Sequence, residues 1–345
     1  MSALTDASAA VPEKVAHGGD LGWLTARYPT APRPLIDLST GINPWPYPIG
    51  EIPDHAWTRL PQAADVAAAR EALRRYLAQP DDRSIALAPG SEAIIQRLPE
   101  LFAPTKVVVV SPTYGSHAPA WRAAGHTVEE LDGHEAAESD AAIIVVANPN
   151  NPTGTVVQPE GLRELAPELR ARGGCLIIDE AYADIMPEIS FSSEAPQNGA
   201  IVLRSLGKAF GLAGLRAGAL VGPPEIAARL EAHFGAWPVS GLALVAMARA
   251  YPDATWMSEK RIELDHAARA LDDTLREAGL EVVGGTVLYR LVESPVAPHV
   301  HDTLARHGIA VRLFDDNPRW LRFGIPADDD AHGRLAVALK EAMSQ

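Results

Sequence analysis

The chain has 345 residues, 47% of them hydrophobic and 21% charged, with 30 basic against 44 acidic side chains and a formal net charge of −14. That size and composition suit a globular protein with a large and a smaller domain. The acidic balance, with no run of lysine or arginine, argues against nucleic acid as a partner. A single cysteine, Cys175, excludes an intrachain disulfide and fits a reducing compartment. Met1 to Ala10 lacks a basic segment followed by an apolar run, and no window reaches membrane-spanning length. A cytoplasmic protein without membrane contact is expected.

Residues 1 to about 14 read as a polar tail. His17-Gly18-Gly19 follows, either as loop chemistry or as a functional histidine. An extended piece, Leu35 to Leu38, leads into Ser39-Thr40-Gly41-Ile42-Asn43-Pro44, a turn in which Pro44 keeps Asn43 out of the helical region. Val66, Leu73 and Leu77 space out an amphipathic helix over 63–77. Beyond a strand over 84–87, Pro89-Gly90-Ser91-Glu92 opens a helix running to Leu98. Strand, glycine turn, serine and helix start can offer N–H groups and a hydroxyl to a phosphate, or Ser91 can simply cap the helix.

The alternation continues with strand 106–110, ending at Tyr114-Gly115, helix 118–124 and strand 127–131. Strand 141–147 ends at Asn148-Pro149-Asn150-Asn151-Pro152-Thr153-Gly154, and helix 160–171 leads to strand 175–178 and Asp179-Glu180-Ala181-Tyr182. Strand 201–204 delivers Ser205 and Lys208. Continuous apolar strands alternating with helices predict an α/β fold whose mostly parallel sheet lies between helices. In such sheets ligands gather at the carboxyl ends of the strands. Strand 217–221 and helices over 225–234, 237–250 and 254–278 follow. Strands over 281–283, 287–292, 309–313 and 320–323, with helices over 300–307 and 330–343, predict a smaller α+β unit with antiparallel strands.

The stretch Arg204 to Gly218 holds Ser205, Lys208 and Arg216 among four glycines. A hydroxyl and a guanidinium fork suit a phosphate, and a lysine amine in its free form attacks a carbonyl. On this stretch alone, a small-residue loop with a surface lysine is the alternative. The five strand ends together meet what pyridoxal 5'-phosphate asks of a protein. Lys208 would take its aldehyde, Asp179 would keep its pyridine nitrogen protonated, and Asn151 with Tyr182 would hold its phenolic oxygen. Tyr114 would stack on the ring. Ser91, Ser205 and Arg216 would form the phosphate cup, and Gly90 and Glu92 complete the expected cofactor-binding set. Lys208, Asp179 and Tyr182 are the expected catalytic residues, and no metal site is expected.

On these residues the chain resembles the fold-type I pyridoxal-phosphate enzymes of the class I/II aminotransferase family. Asn-Asn-Pro-Thr-Gly, Asp-Glu-Ala-Tyr and Ser-x-x-Lys with an arginine eight residues on occur in that family's order. The likeness implies an aminotransferase-like fold, with an N-terminal arm over 1–37 that contributes to the small domain and the active site. A large cofactor-binding domain over 38–250 and a small domain over 251–345 would follow. It also implies a homodimer with the active site at the interface, and a substrate carboxylate gripped by Arg322. His17-Gly18-Gly19, Leu38 to Pro44, Trp237-Pro238-Val239-Ser240 and Trp320 to Gly324 bring the chain nearest to the threonine-phosphate decarboxylases of cobalamin biosynthesis. Histidinol-phosphate aminotransferases stand next to them. That likeness places His17, Asn43 and Arg312 around the phosphate of a small phosphorylated amino acid.

Two positions depart from the broader family. Leu60 stands where many members have a tyrosine that reaches the neighbouring subunit's cofactor phosphate, and Gly207 stands where a serine or threonine is usual. The resemblance implies decarboxylation of L-threonine O-3-phosphate to (R)-1-amino-2-propanol O-2-phosphate, with transamination of histidinol phosphate or another amino acid as the alternative. Intact Lys208, Asp179 and Arg322 speak against a third reading, a non-catalytic binding protein on the same fold.

Overall fold

The structure is a computed structural model and describes residues 18–344; His17 lies outside the described residues. In chain order the strands are β1 (Ile36–Leu38), β2 (Ile85–Ala88), β3 (Lys106–Val110), β4 (Thr127–Leu131), β5 (Ile143–Ala147) and β6 (Cys175–Asp179). They continue as β7 (Ile201–Ser205), β8 (Gly218–Val221), β9 (Glu281–Thr286), β10 (Tyr289–Glu293), β11 (Ile309–Leu313) and β12 (Trp320–Gly324).

Seven of these form one sheet in the order β2-β8-β7-β6-β5-β3-β4. The strands from β7 to β4 run parallel, and β8 is antiparallel to both its neighbours. β5, β6 and β7 are buried at every position, as an interior strand covered on both faces must be. β4 closes one edge with Glu129 and Glu130, charges that discourage further strand pairing. Along β5 the faces alternate: Ile143 and Val145 join one core, Ile144 and Val146 the other. Helices Ala63–Tyr76, Pro159–Ala171 and Gly241–Ala250 cover one face, and helices Ser91–Arg97, His117–Ala123 and Pro224–Phe234 the other.

The second sheet runs β1-β11-β12-β10-β9. Its strands from the C-terminal part are antiparallel as expected, but β1 joins parallel to β11, so a segment near the start of the chain completes the sheet. Its own core lies under helices Ala297–Arg306 and Asp329–Met343. The long helix Ala254–Glu277 ties the two units together: Met257 and Leu264 belong to the first core, Leu271 and Leu275 to the second. Short helices at Gly22–Arg27, Asp54–Thr58 and Gly133–Glu138 lie where no periodicity announced them. Among the described residues no helix is long and apolar enough to cross a membrane.

The sheets also meet at one tight point. The Gly285 N–H donates to the Thr153 carbonyl at 2.9 Å, and the Tyr289 hydroxyl to the Asn150 carbonyl at 2.7 Å. A Cβ on Gly154, whose φ is +74°, would stand 2.0 Å from the Gly285 oxygen, so only glycine allows this approach.

Candidate active site

The carboxyl ends of β6 and β7 lie side by side and fix the centre of the site. Asp179 ends β6 and Ser205 ends β7; the loop after Ser205 carries Lys208. The segment from residue 39 onward holds that loop. Asn43 N–H donates to the Lys208 carbonyl at 3.0 Å, and Asn43 Nδ2 donates to the Ala209 carbonyl at 2.8 Å. An inner cavity of about 100 Å³ is lined by Ser91, Tyr114, Asp179, Ser205, Lys208 and Arg216, together with Asn151 and Tyr182. It adjoins a cleft of about 540 Å³ that shares Lys208 and Tyr182 and adds Arg312, Arg322 and Gly18.

Where Gly90 and Arg216 meet, the lining of the inner cavity is cationic and rich in donors. Gly90 has φ +91°, and a Cβ there would lie 3.0 Å from Arg216 Nη2, so the guanidinium rests against a bare backbone. Ser91 and Ser205 bring hydroxyls to the same wall. Glu92 is occupied elsewhere: its Oε2 accepts the Tyr114 hydroxyl at 3.0 Å and its Oε1 accepts Gln96 Nε2 at 2.8 Å. Its contribution is therefore to hold Tyr114, whose hydroxyl is pushed well above its ordinary pKa by burial and by the Glu92 charge. Gly207 also has a local reason. A Cβ there would stand 3.1 Å from Ala213 Cα, so serine or threonine would crowd the loop.

The lining also carries the Asp179 carboxylate, 6% exposed. Its Oδ1 accepts the Ala181 N–H at 3.0 Å, and its Oδ2 lies 3.0 Å from His117 Nε2. His117 is buried and was not singled out in the sequence. It sits at the start of a helix two residues after Gly115, and nothing in local pattern links it to residue 179. In the same lining, Lys208 Nζ lies 5.5 Å from the centre of the Tyr182 ring.

In the outer cleft Arg322 spans two units. Nη1 donates to Asn151 Oδ1 at 2.5 Å and Nη2 to the Ser39 carbonyl at 2.7 Å, with the guanidinium 5.4 Å from the Tyr289 ring centre. Asn151 Oδ1 is thus taken, which leaves its amide N–H₂ as what it can offer the cavity. Arg312 is the register partner of Arg322 across β11 and β12. Burial and the Arg322 charge both lower its pKa from the usual arginine value.

Asn43, expected beside a substrate phosphate, is placed differently. It is 2% exposed, its amide serves Ala209, and its Oδ1 accepts the Trp45 N–H at 2.9 Å. Its role is to pin the turn after β1 to the lysine loop, because a buried amide satisfied by backbone has little left for a ligand. Leu60 is 59% exposed and far from any donor role.

Residues 53–338 match the family model described as aminotransferase class I and II. The chain belongs to that family. It is 40% identical over 325 residues to a threonine-phosphate decarboxylase from Pseudomonas aeruginosa, covering 94% of this chain and 96% of that one. It is 32% identical over 291 residues to a histidinol-phosphate aminotransferase from Mycobacterium bovis, covering 77% and 76%. Among solved structures, the histidinol-phosphate aminotransferase from Sinorhizobium meliloti in complex with pyridoxal-5'-phosphate matches with a TM-score of 0.86. It is 19% identical and covers 99% of this chain and 98% of that one, a likeness of fold.

The cofactor of this family member is pyridoxal 5'-phosphate. The cavity fits it on its own chemistry: its lining brings together a guanidinium, two hydroxyls, a buried carboxylate and a lysine. Ser91, Ser205 and Arg216 are the groups that would hold its phosphate, Asp179 its ring nitrogen, and Asn151 and Tyr182 its phenolic oxygen.

Proposed function

We propose that the chain is a pyridoxal-phosphate-dependent lyase that decarboxylates L-threonine O-3-phosphate to (R)-1-amino-2-propanol O-2-phosphate. The observation that carries this reading is the pair Arg312 and Arg322, directly opposite on neighbouring strands and facing one cleft with Lys208. Like charges placed opposite each other cost stability. Two guanidiniums there suit a substrate with two anionic groups, a carboxylate and a phosphate. The relative 40% identical over nearly the whole chain supports the same reaction.

When bound, pyridoxal phosphate supplies an electron sink for the electron pair left at Cα when a bond to that carbon breaks. Asp179 keeps the ring nitrogen protonated, and His117 fixes its second oxygen. Arg322 takes the substrate carboxylate and Arg312 the phosphate, so the two together orient the bond to be broken. Lys208 would hold the cofactor, and its amine is the group placed to return a proton to Cα when carbon dioxide leaves.

The 32% identical relative favours a second reading, transamination, in which Lys208 would take the Cα proton instead. Purified protein with threonine phosphate tests both. Carbon dioxide and an amine formed without a keto acid support the lyase; a requirement for keto acid would support the aminotransferase. No turnover of any phosphorylated amino acid would refute both.

The reading extends to cobalamin biosynthesis in the cytoplasm, to a large domain over 38–250 with a small one over 251–345, and to a homodimer whose interface adjoins the active site. Trp57, Leu60 and Trp237, exposed at 63%, 59% and 57%, support the dimer, as does a groove that Pro61 and Trp237 line together.

A further inference from the structure

Behind the cavity, the ends of β6 and β7 carry a second set of charges. Neighbouring residues of a strand point to opposite faces. Asp179 and Ser205 line the cavity, while Glu180 and Arg204 are buried in the core behind it. Arg204 is 2% exposed, Glu180 0% and Asp184 1%. One guanidinium serves both carboxylates: Nη1 donates to Glu180 Oε2 at 2.6 Å and Nη2 donates to Asp184 Oδ1. Glu180 is satisfied further by the Ser190 hydroxyl at 2.6 Å, the Phe191 N–H at 2.5 Å and the Ser192 hydroxyl at 2.8 Å.

Stability alone is a poor reason for this cluster. Buried ion pairs are often no better than apolar side chains of the same volume, and here Arg204 Nε, Asp184 Oδ2 and the Tyr251 hydroxyl are buried without a hydrogen-bond partner. Its geometry has a clearer consequence. The turn that presents Asp179 and Tyr182 to the cavity is gripped at Glu180 and again at Asp184. The grip comes from the residue immediately before Ser205, on the strand whose loop carries Lys208. The Glu180 N–H, donating to the Leu203 carbonyl at 2.9 Å, continues the ladder between the two strands.

We propose that Arg204 is a positioning residue for the cofactor site. Through Glu180 and Asp184 it holds Asp179 and Tyr182 in register with Ser205 and Lys208, without touching cofactor or substrate. The inference rests on the assignment of Asp179 and Lys208 to pyridoxal phosphate. What it requires of Arg204 is the fork, not the charge: an ammonium is a point charge and does not bridge two carboxylates in fixed geometry.

The test compares Arg204→Lys and Asp184→Asn with the wild-type holoenzyme. Five quantities are read: Tm, the Kd for pyridoxal phosphate, the pH titration of the visible absorbance, and kcat and KM for threonine phosphate. Misplacing a site group by a fraction of an ångström costs about tenfold or more. Arg204→Lys should therefore raise the cofactor Kd about tenfold, shift the titration midpoint and lower kcat. KM should stay within about twofold, since Arg312 and Arg322 are untouched. Asp184→Asn keeps the Glu180 arm and should move the same readouts in the same direction by about threefold. A lower Tm with unchanged Kd and unchanged titration in both variants would overturn the proposal. If Arg204→Lys does not accumulate as folded protein, Asp184→Asn decides by the same criteria. Lys208→Ala, run alongside, reports a different failure: a wild-type visible band in that variant refutes the lysine assignment itself.

Discussion

Replacing Arg312 by methionine separates what this residue does for the substrate from what it does for the fold. In the chain alone, Arg312 faces Arg322 directly across two antiparallel strands, and like charges so placed cost about 0.2–1 kcal/mol. Against that, the Arg312 guanidinium lies 5.3 Å from the Phe314 ring centre, a contact worth about 0.5–1 kcal/mol. Methionine keeps an attractive contact with that ring through its sulfur. These effects partly cancel, and Asp315 and Asp316, whose charges favour the Arg312 cation, add at most about 1 kcal/mol at a partly exposed site, so stability should change by less than about 2 kcal/mol, or about 2–6 °C in Tm for a chain of this size. With substrate there is no such cancellation. A charge-assisted hydrogen bond to the phosphate is worth about 1.5–3 kcal/mol, which corresponds to a fall in kcat/KM of about 10- to 150-fold. Unphosphorylated L-threonine, already a poor substrate, should change by less than about threefold. Steady-state kinetics on both substrates and a thermal melt of the same preparations measure all of this. Arg322→Met supplies the contrast, because the carboxylate is common to both substrates and both should suffer. Equal losses on threonine and its phosphate in Arg312→Met would refute the phosphate assignment.

Asp179→Asn keeps the shape at the ring end of the cavity but not the charge, and should lower kcat about a hundredfold or more, equivalent to about 3 kcal/mol of barrier; near-normal turnover would mean another group serves the ring nitrogen. Alkaline pH should unfold the protein. Burial pushes the Cys175 thiol up to about 12 from 9.0 and raises the Tyr76, Tyr251 and Tyr289 hydroxyls above their ordinary 10.0. Because the unfolded chain gives up these protons first, stability present below about pH 9 is lost progressively above it, and a Tm unchanged from pH 8 to pH 11 would contradict this. Gly154→Ala should cost about 2–4 kcal/mol in urea unfolding, since its Cβ would meet the Gly285 oxygen at 2.0 Å in a left-handed backbone. Gly161→Ala, in helix Pro159–Ala171 and with nothing nearer than 3.8 Å, should be neutral or stabilising by about 0.5–1 kcal/mol. Equal costs at the two positions would show that the tight contact is not the cause.

Local pattern by itself determined the strands and the groups at their ends. β5, β6 and β7 each open on a continuous apolar run, and the polar residues that close β6 and β7 and follow β5 were readable because polarity returns at the carboxyl end of a buried strand. Lys208, Asp179, Ser205 and Tyr182 could be brought to one cavity from that alone, since parallel strands present their carboxyl ends along one edge. Only the tertiary structure decided who faces whom across the chain. His117 meets Asp179 through the packing of a helix on the sheet, at a separation of 62 residues that no periodicity spans. Arg312 and Arg322 became partners through the register of β11 and β12, which depends on where the intervening turn closes. Asn43 looked like a free donor in a turn and proved to be a buried clasp on the lysine loop, because burial is a property of what packs over a residue and not of its neighbours in sequence. β1 was legible as an extended piece, but its place beside β11 came from the second sheet's need to cover its own edge.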